Sequence, residues 1–280
     1  MILHQGKEFY IFQYLLLILN KCKLRNTVIS AKAKIGNNVH IGNFCTIEDD
    51  VVIDDNTWIG NNVTILNGAR IGQSCQIHSG AILAGIPQDL KYNNECTLLE
   101  IGNATIIREY VTVNKGTSSK GRTVIGSNNL IMSGAHIGHD CVIGNNCIVG
   151  FSVGMAGEVT VGDWANISGL SAIHQFSVIG EHTMISGMSK IVKDIPPYVL
   201  ASREPLTYCG LNTVGLKRRG FDKDKIVELK AIYRVVFEEK RNTSRAVALI
   251  QQNFEQTDER DNILNFIKQS SRGIIKGSLV

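Results

Sequence analysis

An aliphatic residue recurs at every sixth position along most of this chain. From Ile29 to Ile191, all but three positions in this phase carry Ile, Leu, Val or Met, and the exceptions are Asp89, Glu95 and Ser119. A period of six matches neither the 3.6-residue repeat of an α-helix nor the two-residue repeat of a strand. It predicts a chain that turns a corner every six residues, so that three sides close a triangular coil of about 18 residues.

The residues around this aliphatic position, called the lead position below, fit such a coil. Glycine often follows the lead residue, and Asn-Asn pairs such as Asn61-Asn62 suit the backbone angles of a corner. The fifth position of the hexad is usually small or β-branched, and there we expect four cysteines to be buried fillers: Cys45, Cys75, Cys141 and Cys147. The pattern predicts an all-β parallel β-helix of the hexapeptide type, with roughly eight or nine coils stacked about 4.8 Å apart.

The repeat is interrupted twice before it ends. Residues 84–100 and 119–124 break the pattern and are predicted to be loops that leave the prism. We assign residues 27–197 to the β-helix, with an external loop at 84–100. We assign residues 1–26 to an N-terminal extension of unclear role, and residues 198–280 to a connector and a C-terminal α-helical domain that caps the open end of the prism.

Within the C-terminal part, a connector is expected over residues 198–220. Helical spacing then predicts one helix that begins at Asp222 as its N-cap. A second helix is expected from Thr243 or Ser244 to about residue 254, and a third from about residue 258 to residue 269.

Composition and charge narrow the possible functions. The net charge of +4 is too small to indicate a nucleic-acid partner. Seven cysteines without a CxxC pair argue against a disulfide framework and favour a reducing compartment. The apolar run at residues 9–19 is shorter than the ~20 residues that cross a bilayer, and it lacks the features of a signal peptide. We therefore expect no integral membrane insertion.

A candidate site lies around His136, His139 and Asp140, outside an interior that the pattern fills with aliphatic side chains. If one coil has 18 residues, Gly157 stacks on His139, and Ala156 and His174 continue the column of Gly138. Two chemistries fit this corner. His139 can be a general base oriented by Asp140, with the Gly157 N–H stabilising an oxyanion in acyl transfer. Alternatively, three histidines can bind zinc, as in β-helical carbonic anhydrases, and HxxH spacing alone does not decide between them.

Several motifs then make the chain recognisable over about residues 27–280. They are GAHIGHDCVIGNNC, IPQDLKY, SAIHQFSVIG, KDIPPYV and GLKRRGF, and together they resemble the bacterial UDP-N-acetylglucosamine acyltransferases that begin lipid A synthesis. The stretches REYVTVNKGT, REPLTYCGLN and SSRGIIKG most resemble the version found in Bacteroidetes-type bacteria.

The resemblance implies a fold, a reaction and partners. The fold is a left-handed β-helix with a C-terminal helical domain, in a cytoplasmic homotrimer with sites between subunits. The reaction transfers a 3-hydroxyacyl chain from acyl carrier protein to the 3-hydroxyl of UDP-N-acetylglucosamine. The acyl chain is carried on the phosphopantetheine of the carrier protein, and no cofactor or metal beyond it is implied. A basic surface suits an acidic carrier protein.

The resemblance also implies roles for individual residues. His139 matches the catalytic base, Asp140 its orienting partner and Gly157 the backbone oxyanion donor. Residues implied to contact the sugar, the acyl donor or other parts of the substrates are Asp89, Lys91, His136, His174 and Gln175. Residues implied to lie near the nucleotide, where guanidinium groups suit phosphate, are Asn212, Arg218 and Arg219.

The chain departs from the family pattern at two places. Glu158 occupies a position where a histidine is common, and Phe151-Ser152 replaces a frequent Asn-Asn pair. We expect Glu158 to add negative charge near His139, which alters either the base or the way in which the sugar nucleotide is held. By analogy alone, Gly187 and Met188 are candidates for the floor of the acyl groove.

Three alternatives remain beside the O-acyltransferase. The nearest is the UDP-3-O-acylglucosamine N-acyltransferase of the same pathway, against which the QDLKY and GLKRRGF motifs argue. The second is the zinc-dependent β-helical carbonic anhydrase. The third is a β-helix that only binds or scaffolds, against which the intact set of His139, Asp140 and Gly157 argues.

Overall fold

The structure is a computed structural model that describes residues 26–237 and 243–277. Apart from Asn26, the predicted N-terminal extension lies outside the described residues. The first fourteen strands are β1 (Val28–Ile29), β2 (Lys34–Ile35), β3 (His40–Ile41), β4 (Thr46–Ile47), β5 (Val52–Ile53), β6 (Trp58–Ile59), β7 (Thr64–Ile65), β8 (Ala69–Ile71), β9 (Gln76–Ile77), β10 (Ile82–Gly85), β11 (Leu98–Ile101), β12 (Ile106–Ile107), β13 (Thr112–Asn114) and β14 (Arg122–Ile125).

The strands that follow are β15 (Leu130–Ile131), β16 (His136–Ile137), β17 (Val142–Ile143), β18 (Ile148–Val149), β19 (Gly154–Met155), β20 (Thr160–Val161), β21 (Asn166–Ile167), β22 (Ala172–Ile173), β23 (Val178–Ile179), β24 (Met184–Ile185), β25 (Lys190–Ile191), β26 (Val199–Ser202), β27 (Thr207–Leu211) and β28 (Lys276–Gly277). The helices are α1 (Thr213–Arg218), α2 (Lys223–Phe237), α3 (Thr243–Asn253) and α4 (Asp258–Gln269).

Three sheets form the faces of a triangular prism. Sheet A contains every third strand from β1 to β25, and sheet B every third strand from β2 to β23. Sheet C contains every third strand from β3 to β24 and continues through β26, β27 and β28. Neighbouring strands are parallel along the prism, and most paired residues are 18 apart in sequence, as in Val28 with Thr46 and Ile148 with Asn166. The predicted left-handed β-helix with a C-terminal helical domain is confirmed.

The lead residues fill the interior of the prism, as the hexad pattern predicts. Ile59, Ile77 and Ile131 have no exposed surface, and burying such a side chain contributes roughly 1.5–3 kcal/mol. The cysteines at the fifth position are buried fillers, also as predicted. The Cys141 thiol donates to the Ala156 carbonyl at 3.1 Å, and burial raises the pKa of this thiol to about 12.

The corners of the prism organise the site. We call the turn from sheet A to sheet B the A/B corner, and the turn from sheet B to sheet C the B/C corner. Two loops leave the prism at the A/B corner, in consecutive coils. Loop 86–97 joins β10 to β11 and lies within the predicted interruption 84–100. Loop 115–121 joins β13 to β14 and begins before the predicted interruption 119–124, whose last residues, 122–124, belong to β14 instead. Because of these insertions, Ile82 pairs with Thr112 and Thr112 with His136, rather than with residues 18 away.

The three predicted C-terminal helices are present as α2, α3 and α4. Asp222 is the predicted cap of α2, since its Oδ1 accepts a hydrogen bond from the Lys225 N–H at 2.7 Å. The predicted connector 198–220 is more ordered than expected, because β26 pairs with β24 and extends sheet C before the chain forms β27 and α1. The hexad pattern ends before β26, so the repeat carried no signal for this extension. Among the described helices, none is both long and apolar enough to cross a membrane.

Candidate active site

His139 and Asp140 lie at the A/B corner between β16 and β17. The His139 Nδ1 is 2.7 Å from Oδ2 of Asp140, whose side chain is fully buried. An ionised carboxylate only accepts hydrogen bonds, so Nδ1 carries the hydrogen in this pair. In a neutral imidazole the lone pair then lies on Nε2, which is the nitrogen available to take a proton. The arrangement is that of a general base and its orienting carboxylate.

Loop 115–121 surrounds the Asp140 carboxylate with donors. The Thr117 N–H donates at 3.0 Å, the Thr117 hydroxyl at 2.7 Å and the Lys120 N–H at 3.2 Å. Burial by itself raises the pKa of the Asp140 carboxyl, but hydrogen bonds from Thr117, His139 and Lys120 outweigh burial, and the pKa is lowered overall. Asp140 is therefore ionised at neutral pH, where it can stabilise a positively charged imidazole.

Gly157 lies one coil beyond His139 in the same column. A β-carbon built on Gly157 would overlap Nε2 and Cε1 of the His139 ring. The backbones of the two coils are joined by a 2.8 Å hydrogen bond from the Glu158 N–H to the His139 carbonyl. Within the described residues, the Gly157 N–H has no acceptor. The predicted stacking is present, and it places an unpaired backbone donor beside the proton-accepting nitrogen.

Loop 86–97 brings a second carboxylate to His139. The Asp89 Oδ2 is 4.0 Å from His139 Nε2, and Asp89 Oδ1 accepts from the Lys91 N–H at 2.9 Å. The Lys91 side chain is exposed next to Leu90, which is fully exposed. Asp89 and the Lys91 backbone thus lie on the Nε2 side of the His139 ring.

His136 and His174 lie along the same part of sheet A. The His136 Nδ1 is 2.8 Å from the Thr112 hydroxyl, and burial lowers the pKa of His136, which keeps it neutral at pH 7. His174 is exposed, and its Nδ1 is 2.9 Å from the Gln175 carbonyl. The structure therefore brings Asp89 of loop 86–97 to His139, whereas His136 lies in β16 three residues before His139, and His174 lies two coils further along the prism.

The three residues implied to lie near the nucleotide are not part of this cluster. Asn212 caps α1, and its amide donates to the His182 carbonyl at 2.9 Å. The Arg219 guanidinium lies 5.2 Å from the centre of the Trp164 ring, and Arg218 is exposed beside it. All three line a cleft of about 580 Å³ at the B/C corner and sheet C, on a different edge of the prism from His139.

The sequence did not single out Thr112, Thr117, Ser119 or Lys120 as functional residues. These side chains bond to His136, to Asp140 and to Glu158. One signal was present: the break in the hexad at Ser119 falls one coil before Asp140, at the same corner. A loop inserted there must pass over Asp140, although its hydrogen bonds could not be read from the pattern.

The two departures from the family pattern lie on different edges. The Glu158 carboxylate is largely buried at the A/B corner and forms an ion pair with Lys120 at 3.0 Å. Phe151 lies at the corner between sheets C and A, packed over Gly169, and the Met188 N–H bonds to the Gly169 carbonyl in that column. The roles of Gly187 and Met188 in an acyl groove stay predictions.

Among the described residues, no three His, Cys, Asp or Glu side chains are grouped so that they could hold a metal ion. A buried His-Asp pair with a free backbone N–H, on the outer corner of a left-handed β-helix, fits a hexapeptide-repeat acyltransferase. Comparison with known families agrees with this class. The model described as bacterial transferase hexapeptide, six repeats, matches residues 50–85 and 122–157. The model described as UDP N-acetylglucosamine O-acyltransferase, domain 2, matches residues 194–275.

Individual relatives narrow the class to one family. The acyl-[acyl-carrier-protein]–UDP-N-acetylglucosamine O-acyltransferase of Burkholderia lata is 39% identical over 74% of this chain and 80% of its own. The UDP-N-acetylglucosamine acyltransferase structure from Bacteroides fragilis has a TM-score of 0.89 and 46% identity, covering 90% of this chain and 99% of that one. The Francisella novicida structure has a TM-score of 0.88 and 35% identity, covering 90% and 94%. The chain belongs to the UDP-N-acetylglucosamine O-acyltransferase family, as the motifs indicated.

Proposed function

We propose that His139 is the general base with which this chain transfers a 3-hydroxyacyl group from acyl carrier protein to the 3-hydroxyl of UDP-N-acetylglucosamine, the first step of lipid A synthesis. The reaction follows from family membership. The observation that supports the assignment of the base is the 2.7 Å bond between His139 Nδ1 and the buried Asp140 carboxylate, which leaves Nε2 free.

The chemical steps follow from this geometry. Nε2 takes the proton of the sugar hydroxyl while the hydroxyl oxygen attacks the thioester carbonyl, and Asp140 stabilises the imidazolium that results. The carbonyl oxygen becomes an oxyanion, to which the unpaired Gly157 N–H donates. The tetrahedral intermediate then collapses, the C–S bond breaks and the imidazolium returns its proton to the phosphopantetheine sulfur. These steps require no metal or cofactor beyond the phosphopantetheine of the carrier protein.

We assign substrate contacts to the residues around this centre. Asp89 lies 4.0 Å from Nε2, and in this assignment it accepts a hydrogen bond from the sugar, while Lys91 extends from the same loop. His136, His174 and Gln175 follow along sheet A and form the wall against which the acyl donor lies. In this assignment Asn212, Arg218 and Arg219 bind the nucleotide phosphates.

The separation of these groups supports a homotrimer. His139 lies at the A/B corner and Arg218 at the B/C corner of the same chain, so in this assignment the two groups reach one substrate from different chains. A second copy that presents its B/C corner to the A/B corner of the first completes the site, and three copies close the ring. Light scattering is expected to give about 92 kDa for three chains of 30.7 kDa, and a monomeric mass would contradict the shared site.

Subunit mixing tests the sharing itself. His139→Ala and Arg218→Ala are each expected to be nearly inactive as pure proteins. Random co-assembly should restore about one quarter of the sites, because an intact His139 of one copy then meets an intact Arg218 of the next. If mixed trimers stay inactive, His139 and Arg218 do not act on one substrate from different chains.

The reaction is tested with purified protein, UDP-N-acetylglucosamine and a panel of 3-hydroxyacyl carrier proteins, with the product identified by mass. Acylation of this acceptor, and no acylation of UDP-3-O-acylglucosamine, is the expected result. The reverse preference would favour the N-acyltransferase. We place the reaction in the cytoplasm, in line with the free, buried thiols of Cys45, Cys75, Cys141 and Cys147.

A further inference from the structure

Glu158 lies directly after Gly157 and one coil beyond Asp140, at the same A/B corner. Its side chain is only 10% exposed. One carboxylate oxygen pairs with the Lys120 Nζ at 3.0 Å, and the other accepts a short hydrogen bond from the Ser119 hydroxyl. Ser119 and Lys120 form the tip of loop 115–121, so Glu158 holds the tip of this loop against the corner.

The same loop holds the catalytic carboxylate. Its Thr117 and Lys120 N–H groups and its Thr117 hydroxyl donate to Asp140, as described above. The Lys120 Nζ also donates to the Asp140 backbone carbonyl at 3.0 Å. Lys120 therefore contacts Asp140 and Glu158 at once and links the orienting carboxylate to a second carboxylate one coil away.

The remaining attachments of the loop lie mainly at its two ends. The Gly116 N–H donates to the Leu98 carbonyl at 3.1 Å, and the Leu98 N–H donates to the Gly121 carbonyl at 3.0 Å. These bonds fix the ends of the loop to sheet B. At the tip, Ser118 contacts Glu95 on the neighbouring loop, whereas Ser119 and Lys120 reach across to Glu158. Glu158 is thus one anchor of the tip, in addition to the direct bonds from Thr117 and Lys120 to Asp140.

We propose that Glu158 is a positioning residue for the His139–Asp140 pair and acts through Ser119 and Lys120. The proposal rests on the acyl transfer by His139 proposed above. Without the Glu158 carboxylate, the partly exposed Lys120 loses its ion-pair partner and Ser119 loses its acceptor, so the tip of the loop is released. Asp140 then loses donors that fix its carboxylate, and the orientation of His139 loosens. Turnover should fall while the acceptor is bound as before.

A double-mutant cycle with Asp140 tests this route. Glu158→Ala is expected to lower kcat about tenfold and to change the KM for UDP-N-acetylglucosamine less than twofold. In a background of Asp140→Asn, the same change is expected to have no further effect, since the group through which Glu158 acts is already lost. Glu158→Gln keeps an acceptor for Ser119 and should recover part of the rate.

The matched control is Glu100→Gln, which breaks an ion pair with Arg122 at 3.1 Å at the end of the same loop without touching Asp140. Its kcat is expected to stay at the wild-type value. A tenfold loss from Glu158→Ala that persists in the Asp140→Asn background would overturn the proposal, because it indicates direct substrate contact or a general defect. So would an unchanged kcat for Glu158→Ala. If the wild-type protein transferred no acyl group at all, the proposed function would fail instead.

Discussion

The His139 ring lies across the space where a side chain at Gly157 would begin. The two residues are 18 apart and occupy the same corner position of successive coils, so the packing of the prism itself sets their approach. Because residue 157 has no β-carbon, the imidazole can lie close to the neighbouring backbone. The same absence leaves the Gly157 N–H uncovered by a side chain, as the proposed role in stabilising an oxyanion requires.

Gly157→Ala tests this approach. The added methyl group overlaps the His139 ring and should displace it from the free N–H. We expect kcat to fall about 100-fold or more, in the range seen for loss of an oxyanion donor. Steady-state kinetics and thermal unfolding are the measurements.

The control for that change is Gly154→Ala in the same coil, where an added β-carbon meets no described atom within 4 Å. It is expected to unfold at the wild-type temperature. Wild-type turnover in Gly157→Ala would show that the close stacking of residues 139 and 157 has no part in catalysis.

Asp140→Asn should destabilise the fold in a pH-dependent way. The pKa of the folded carboxyl is lowered, so its stabilising effect is present above the unfolded pKa of about 4 and is lost as the pH falls through the folded value. We expect a loss of about 2 kcal/mol at pH 7, because hydrogen bonds to a buried charge are removed. Urea unfolding should show the gap between the two proteins narrowing below pH 4.

Asp49→Asn is the comparison for Asp140→Asn. Asp49 forms an exposed ion pair with Lys32 at 2.7 Å, and its removal should change stability far less. A gap for Asp140→Asn that is the same at pH 7 and at pH 3 would mean that the charge of the buried carboxylate does not account for the loss.

His182 is expected to give a second pH dependence of folding stability, and it lies at a different corner of the prism from His139. Its ring is stacked between Trp164 and Tyr198, and burial, together with the neighbouring Arg219, lowers its pKa to about 4. The unfolded chain takes up this proton near pH 6.5, so the folded protein loses stability as the pH falls from about 6.5 to about 4. His182→Phe keeps a ring in the stack and should flatten that part of the profile. Parallel stability profiles for the two proteins would refute this assignment.

The six-residue repeat predicted the buried positions and the stacking of the coils. It did not predict the contacts made by segments that lie outside the repeat. Ile59 and Ile77 repeat a buried position, and the same 18-residue register places His139 under Gly157. The bonds from Thr117 and Lys120 to Asp140 come from an inserted loop, whose path no hexad specifies. Likewise β26 and β27 extend sheet C after the repeat has ended.

The residues assigned to the nucleotide show a second limit of prediction from sequence. Arg218 and Arg219 follow a recognisable motif, yet their place at another edge of the prism from His139 is visible only in three dimensions. In the proposed assignment, their joint action with His139 requires the surface of a second copy, a relation that the six-residue repeat does not contain.

The most direct test of the account is the single-turnover rate of acyl transfer by His139→Ala at saturating carrier-protein donor and acceptor. His139 lies outside the aliphatic interior, so the variant should fold and bind UDP-N-acetylglucosamine within a few-fold of wild type. The account predicts that the rate falls by about 10²–10⁴, the contribution of a positioned general base. A variant that is folded and transfers the acyl chain at a near-wild-type rate would contradict it.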